Sequence, residues 1–264
     1  MIDFIYMDFH KAAKEVRENG LIQIPGVYSK KKCEEYKKIA DRIINRFIEK
    51  KSTLIHQDCQ YIINPFRHDP AMMELLTNEI VDGLLKILLD PDYVLINATL
   101  NNRRHRTDFD TGYQKSLGDN WHTDSRYLYG ERLDQGFGYL MVVMLDDFRK
   151  ENGGTHYVPG SHKLRSIPER EGKYEDKILE GEAGTMVIMD SGVWHKAGGS
   201  SLQDRWAVFN LFGPWFMKPY YRFADMMGTE FGQKTNTTIR RLLHYNSIPP
   251  LNEDESLSTL IKEY

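Results

Sequence analysis

Residues 180–215 read EGEAGTMVIMDSGVWHKAGGSSLQDRWAVFNLFGPW. Two apolar runs within this stretch, 185–191 (TMVIMDS) and 205–213 (RWAVFNLFG), are too short for typical helices. They are bounded by glycine, serine and aspartate, which is the pattern of strands. A third short run, 193–198 (VWHKAG), lies between them. The same texture extends upstream through 93–102 (YVLINATLNN), 138–147 (GYLMVVMLDD) and 154–160 (GTHYVPG). Short strands broken repeatedly by glycine, asparagine and proline predict a jelly roll or barrel. A charged loop, 166–177 (SIPEREGKYEDK), interrupts the series as a lid or a surface excursion.

Before Tyr93 the pattern is mainly helical. Asp8 is placed to cap a helix over 9–19 (FHKAAKEVREN), with Gly20 as its stop. A short strand follows at 21–28 (LIQIPGVY). Ser29 then caps a long amphipathic helix through Lys51, with Cys33, Tyr36, Ile39, Ile43, Ile44, Phe47 and Ile48 recurring at helical spacing. Asp69-Pro70 opens a helical pair over 71–76 and 78–89, ended at Asp90-Pro91. A short acidic helix is expected within 252–264. The architecture expected is mostly β with flanking α-helices, in one domain spanning 1–264. Its parts are a mainly helical segment 1–92, a jelly-roll core 93–220 and a C-terminal extension 221–264. A chain of 264 residues can bury one core of that size.

Composition narrows the function classes. A formal net charge of −3 argues against a protein that binds nucleic acid through counterion release. The two cysteines, Cys33 and Cys59, have neither zinc-site spacing nor the density of a disulfide scaffold, which suits a reducing compartment. The first residues show no basic stretch followed by an apolar run and cleavage site, and no apolar segment reaches membrane-spanning length. The expected location is the cytoplasm, with no membrane partner, and the expected ligand is a small molecule.

The chemistry-bearing residues fall in the β-rich part. His122 and Asp124 are two apart, so on a strand both side chains point to one face and can share an ion. His195 would join them from a later strand. Two histidines and a carboxylate are the donor set of non-haem Fe(II) oxygenases, in which open metal positions remain for a 2-oxo acid and O2. The triplet alone does not choose the site, since His56-Gln57-Asp58 has the same form. It follows a lysine-rich helix, whereas His122-Thr123-Asp124 precedes the central strands. Arg205, ten residues after His195, adds a planar guanidinium able to grip the far carboxylate of 2-oxoglutarate bidentately.

Four blocks together, 122–130 (HTDSRYLYG), 151–163 (ENGGTHYVPGSHK), 184–198 (GTMVIMDSGVWHKAG) and 204–215 (DRWAVFNLFGPW), resemble the phytanoyl-CoA dioxygenase family. The resemblance spans most of 93–220. It implies a double-stranded β-helix (a cupin-like jelly roll), Fe(II) as cofactor, 2-oxoglutarate as co-substrate and O2 as oxidant. By the same resemblance His122, Asp124 and His195 look like the metal ligands and Arg205 like the clamp for 2-oxoglutarate. The implied reaction is hydroxylation of a small molecule with release of succinate and CO2. Halogenating relatives of this class replace the carboxylate ligand with a small residue, so Asp124 favours hydroxylation. One departure is Ala207, where some relatives in the wider class carry a serine two after the arginine. The second partner for that carboxylate must then come from elsewhere, with Tyr139 weighed as a donor against a plain core tyrosine. Two alternatives remain: a non-catalytic metabolite-binding jelly roll, and a cupin-like metal enzyme that does not use 2-oxoglutarate.

Other polar residues carry two readings each. Arg126, two after Asp124, looks into the cavity if the strand continues, or forms a structural ion pair. The run Arg103-Arg104-His105-Arg106 reads as a solvated loop or as a seat for an anionic substrate. His162 is expected to hydrogen-bond locally beside the Pro159-Gly160-Ser161 turn, and His156 to pack or line the cavity. Gly153-Gly154 reads as turn chemistry. Trp121 and Trp194, each preceding a ligand histidine, read as packing walls.

Overall fold

The computed structural model describes residues 7–50, 59–104, 120–124, 137–164, 166–199, 203–247 and residue 254. The chain begins with helix α1 (Phe9–Asn19), whose N-cap Asp8 accepts a hydrogen bond from the Lys11 amide. The helix ends at Gly20 in the left-handed region (φ 91°). Glycine is required there, because an added Cβ would lie 2.6 Å from Val193 and 2.8 Å from the His162 ring. Strand β1 (Leu21–Ile24) follows, then helix α2 (Lys30–Glu49), capped by Ser29. Strand β2 (Cys59–Ile63) leads to the short helix α3 (Pro65–His68). A 3-10 helix over Pro70–Leu76 and helix α4 (Glu79–Leu88) complete this part.

The β-rich part contributes β3 (Val94–Arg103), β4 (Tyr139–Met144), β5 (His156–Tyr157), β6 (Lys177–Ile178), β7 (Met186–Asp190), β8 (His195–Lys196) and β9 (Arg205–Gly213). Helices α5 (Phe223–Met227), α6 (Thr229–Lys234) and α7 (Thr237–Leu242) follow. Among the described residues all strand pairings are antiparallel. One sheet has six strands in the order β1-β7-β4-β9-β3-β2, and a second has three in the order β6-β5-β8. Two sheets joined by antiparallel crossovers, with helices on the outer face, form a jelly roll.

Strand alternation divides the large sheet into two chemically distinct faces. Tyr139, Met141 and Val143 of β4, Met186 and Ile188 of β7, and Trp206, Val208 and Phe212 of β9 join the apolar core built with α1, α2 and α4. The intervening residues, Leu140, Val142, Met144, Val187, Met189, Ala207 and Leu211, form a smaller cluster on the opposite face. Strand β3 carries a bulge at Ile96: its partners run Leu95 with Phe212, then Asn97 with Leu211. The extra residue puts Ile96 and Asn97 on the same side, so that Asn97, Thr99, Asn101 and Arg103 line a cavity while Ala98 and Leu100 join the helix-side core.

The structure departs from the sequence reading in several places. Strand β2 lies in the part expected to be helical, and pairs with β3 from Cys59–Arg103 to Ile63–Thr99. Its run, CQYII, is too short and too weakly alternating to announce itself. The segment after Asp69 is helical as expected, with 3-10 geometry. The strands around His156 and His195 are two residues each, because loops take over their flanks. The 252–264 helix and His56-Gln57-Asp58 lie outside the described residues, apart from Asp254. No helix among the described residues is long and apolar enough to cross a membrane.

Candidate metal centre

His122, Asp124 and His195 converge, their ligand atoms all lying within 4.8 Å of one another. Among the described residues they are the one group of this kind. The backbone sets the convergence: His122 and His195 form an antiparallel bridge in which each amide donates to the other's carbonyl at 3.0 Å. The Asp124 amide donates to the Ser191 carbonyl at 2.8 Å, tying the next turn of chain to the end of β7. The two imidazoles lie 4.3 Å apart between ring centroids, and His195 Nε2 is 3.7 Å from Asp124 Oδ2.

The tautomers follow from the second nitrogen of each ring. Nδ1 of His122 lies 2.8 Å from the Asn120 carbonyl, and Nδ1 of His195 lies 2.9 Å from the Val193 carbonyl. A carbonyl only accepts, so each Nδ1 carries the proton and each Nε2 keeps its lone pair for a metal. Burial, then the neighbouring His122, pushes the His195 imidazole down and favours its neutral, ligating form. Two imidazole nitrogens and a carboxylate oxygen suit Fe(II) and leave open positions.

The metal group stands in the wall of a cavity of about 210 Å³. Leu140, Phe209 and Leu211 supply its apolar side, while Asn97, Thr99, Asn101 and Arg103 present a polar row from β3. Arg205 lines the same cavity, at the β9 position paired with Arg103. It is 4% exposed, its guanidinium carbon lies 3.9 Å from the Phe148 ring centroid, and its Nε and Nη1 have no hydrogen-bond partner in the protein. Burial, with Arg103 adding to it, pushes this guanidinium down to about 9, still charged at pH 7. A buried cation short of acceptors fits a carboxylate ligand.

Other expectations resolve differently. Tyr139 faces the helix-side core, away from the cavity, in line with the core reading. His156 pairs with Asp176 and does not line the cavity. His162 reaches the Arg17 carbonyl at 2.9 Å, a contact 145 residues away and not a local one. Gly153 has φ 81°, and a Cβ there would meet the Gly198 carbonyl at 2.8 Å, as turn chemistry requires. Trp121 and Trp194 are buried and both contact Tyr174 from the 166–177 loop, which covers the back of the ligand strands. Arg103 is no solvated loop residue: β3 extends through it into the cavity. Arg104 pairs with Asp204 at 3.0 Å, while His105, Arg106 and Arg126 lie outside the described residues.

Asn97, Thr99 and Asn101 of β3 were missed from sequence, as were Cys59, Tyr61, Thr155 and Tyr220 in the cavity wall, whereas Arg103 carried the reading of an anion seat beside that of a solvated loop. One signal was present: Asn97, Thr99, Asn101 and Arg103 place a polar residue at every second position of a buried strand.

The fold and this donor group define a 2-oxoglutarate-dependent non-haem iron oxygenase. The phytanoyl-CoA dioxygenase family model matches residues 16–207, and the chain belongs to that family. Dioxygenase af480 of Aspergillus fumigatus is 22% identical over 258 residues, covering 92% of this chain and 79% of the relative. Dioxygenase hkm4 of Aspergillus hancockii is 32% identical over 105 residues, covering 38% of this chain and 34% of that one. Among solved structures, HygX from Streptomyces hygroscopicus with nickel and 2-oxoglutarate bound has a TM-score of 0.62 at 16% identity, covering 83% of this chain and 94% of its own. The 2-oxoglutarate-dependent epimerase SnoN from nogalamycin biosynthesis has a TM-score of 0.59 at 18% identity, covering 78% and 83%. At these identities the structural likeness is one of fold.

Proposed function

We propose that His122, Asp124 and His195 hold Fe(II), that Arg205 receives the distal carboxylate of 2-oxoglutarate, and that the protein hydroxylates a small molecule. The observation that carries this reading is one cavity containing both the three-donor group and a buried arginine with unpartnered nitrogens. Iron with 2-oxoglutarate and O2 supplies the oxidation, the keto acid leaving as succinate and CO2. The protein's part is positional. Asn120 and Val193 carbonyls fix the two imidazoles with Nε2 toward the metal, and the His122–His195 bridge holds their spacing. Leu140, Phe209 and Leu211 keep one side of the cavity apolar and limit the water around the reacting groups. Asp124 occupies the ligand position that a halide would need, which favours hydroxylation over halogenation. HygX, a neighbour in fold, has been captured with hygromycin B, which supports a small-molecule substrate here.

The test is succinate formation by Fe(II)-loaded protein given 2-oxoglutarate, O2 and fractionated metabolite pools. One fraction should raise succinate above the substrate-free rate and yield a product heavier by one oxygen atom. Arg205→Ala should sharply weaken 2-oxoglutarate binding. Full activity in that variant would instead favour a cupin-like reaction without the keto acid.

A further inference from the structure

The proposed function gives Arg205 the distal carboxylate of 2-oxoglutarate, but a carboxylate has two oxygens and more lone pairs than one guanidinium edge satisfies. Where a hydroxyl two residues on could help, this chain has Ala207, which pairs with Asn101 and belongs to the apolar cluster. The β3–β9 register sets Arg103 directly across from Arg205. Both line the same cavity, with Cys59, the β2 partner of Arg103, beside them. The Ile96 bulge gives Arg103 its inward aspect, since it fixes which residues of β3 face the cavity. The Arg103 stem runs along Gly153, close enough that a Cβ there would sit 3.3 Å from Arg103 Cγ.

We propose that the distal carboxylate of 2-oxoglutarate is held between two arginines, Arg205 of β9 and Arg103 of β3, and that Arg103 determines the preference for a dicarboxylic keto acid. The proposal rests on the reading of Arg205 given above. Arg103 is half-buried and faces the same cavity as the buried Arg205, and its charge adds to the downward push on the Arg205 guanidinium. A carboxylate between them offsets that push with two charge-assisted contacts, so affinity depends on the ligand's distal charge. Among the described residues lining the cavity, Asp124 is the only carboxylate, and it stands in the metal group. Asp204, next to Arg205, is engaged by Arg104 at 3.0 Å and by Asn102 at 3.3 Å.

The experiment titrates Fe(II)-loaded protein, without O2, with 2-oxoglutarate and separately with 2-oxopentanoate, the five-carbon keto acid lacking the distal carboxylate, using calorimetry. Wild type should prefer 2-oxoglutarate. Arg103→Met should weaken 2-oxoglutarate by about tenfold or more, while 2-oxopentanoate stays within about twofold. Arg103→Lys, which keeps the charge but loses the planar fork, should fall between. An equal loss for both acids would assign Arg103 a structural role, and no loss for 2-oxoglutarate would remove it from the site; either overturns the proposal. Wild type binding the two acids alike would overturn the reading of Arg205 as well. Thermal melts of each variant, with the 2-oxopentanoate titration as internal control, separate a local loss from a misfolded chain.

Discussion

The two faces of the large sheet are built from the same strands and have opposite tasks. On the helix side, β4 offers Tyr139, Met141 and Val143, all buried in the larger core. On the other, β9 offers Arg205, Phe209 and Leu211 to the cavity, and β3 offers Asn97, Thr99, Asn101 and Arg103. Alternation lets one strand serve stability and chemistry one residue apart, so substitutions of adjacent residues should separate the two properties. The cavity face carries a cluster of unpartnered polar atoms, Arg205 Nε and Nη1 with Asn97 and Asn101 Oδ1, whereas on the helix side of β9 the buried Asn210 donates to the Leu75 carbonyl at 3.0 Å. Its groups are arranged for ligands, and stability is supplied from behind.

The largest effect expected on the cavity face is from Asp124→Ala. It removes one of three metal donors and should weaken Fe(II) binding by more than the roughly 10–100-fold that losing an outer hydrogen bond costs. Succinate formation should fall with it while the melting temperature of the metal-free protein changes little. A metal titration with a parallel melt checks both, and retained Fe(II) affinity would break the ligand assignment. Arg205→Met comes next and carries a sign. Losing the buried cation should weaken 2-oxoglutarate binding by at least about thirtyfold. The same change should stabilise the ligand-free protein by about 1 kcal/mol, because an incompletely partnered buried charge is replaced by an apolar side chain. A melting temperature that falls instead would mean that Arg205 is structural.

On the helix face the expectation reverses. Met141 is buried among core residues, and Met141→Ala should cost about 2–5 kcal/mol through lost burial and the cavity left behind. Its neighbour Leu140 faces the cavity, so the alternation predicts unchanged 2-oxoglutarate affinity in Met141→Ala at temperatures where the variant is folded. Calorimetric titration beside denaturant unfolding measures both. A large affinity loss would show that the faces are mechanically coupled.

This division also explains what the sequence could disclose. Runs such as 185–191 and 205–213 are apolar on both faces of a covered sheet, so they read plainly as strands. His122, Asp124, His195 and Arg205 were legible because their residue types and spacing match one chemistry. The polar row of β3 showed its alternation but not the face it would take. Strict alternation from Val94 would put Ile96, Ala98 and Leu100 on one face, and the bulge at Ile96 sends Ala98 and Leu100 to the other. A bulge leaves no composition signal that a sequence window can register. Arg103 kept two readings for a second reason: it begins a basic run that looks as much like a solvated loop as like a seat for an anion. Strand β2 and the His162 contact to α1 depend on chain pairings far apart in sequence, which local pattern does not carry.

The smallest effect tests a polar exception on the helix side. Asp82 of α4 accepts from the Tyr93 hydroxyl at 2.9 Å and from Arg241 of α7 at 3.3 Å, and pairs with Lys86 at 2.6 Å. Burial pulls its carboxyl up, but Lys86, Tyr93 and Arg241 outweigh that and hold it below the usual 3.8. A depressed folded value means that the carboxylate contributes stability above pH 3.8 and loses it as pH falls through the lower folded value. Asp82→Asn should therefore cost about 1 kcal/mol at pH 7, given its partial exposure. The difference from wild type should shrink as the pH is taken below that of the unfolded carboxyl. Because Asp82 lies on a helix behind the sheet, 2-oxoglutarate affinity should not follow, and a pH-independent stability difference would show that packing, not charge, joins α4 to α7.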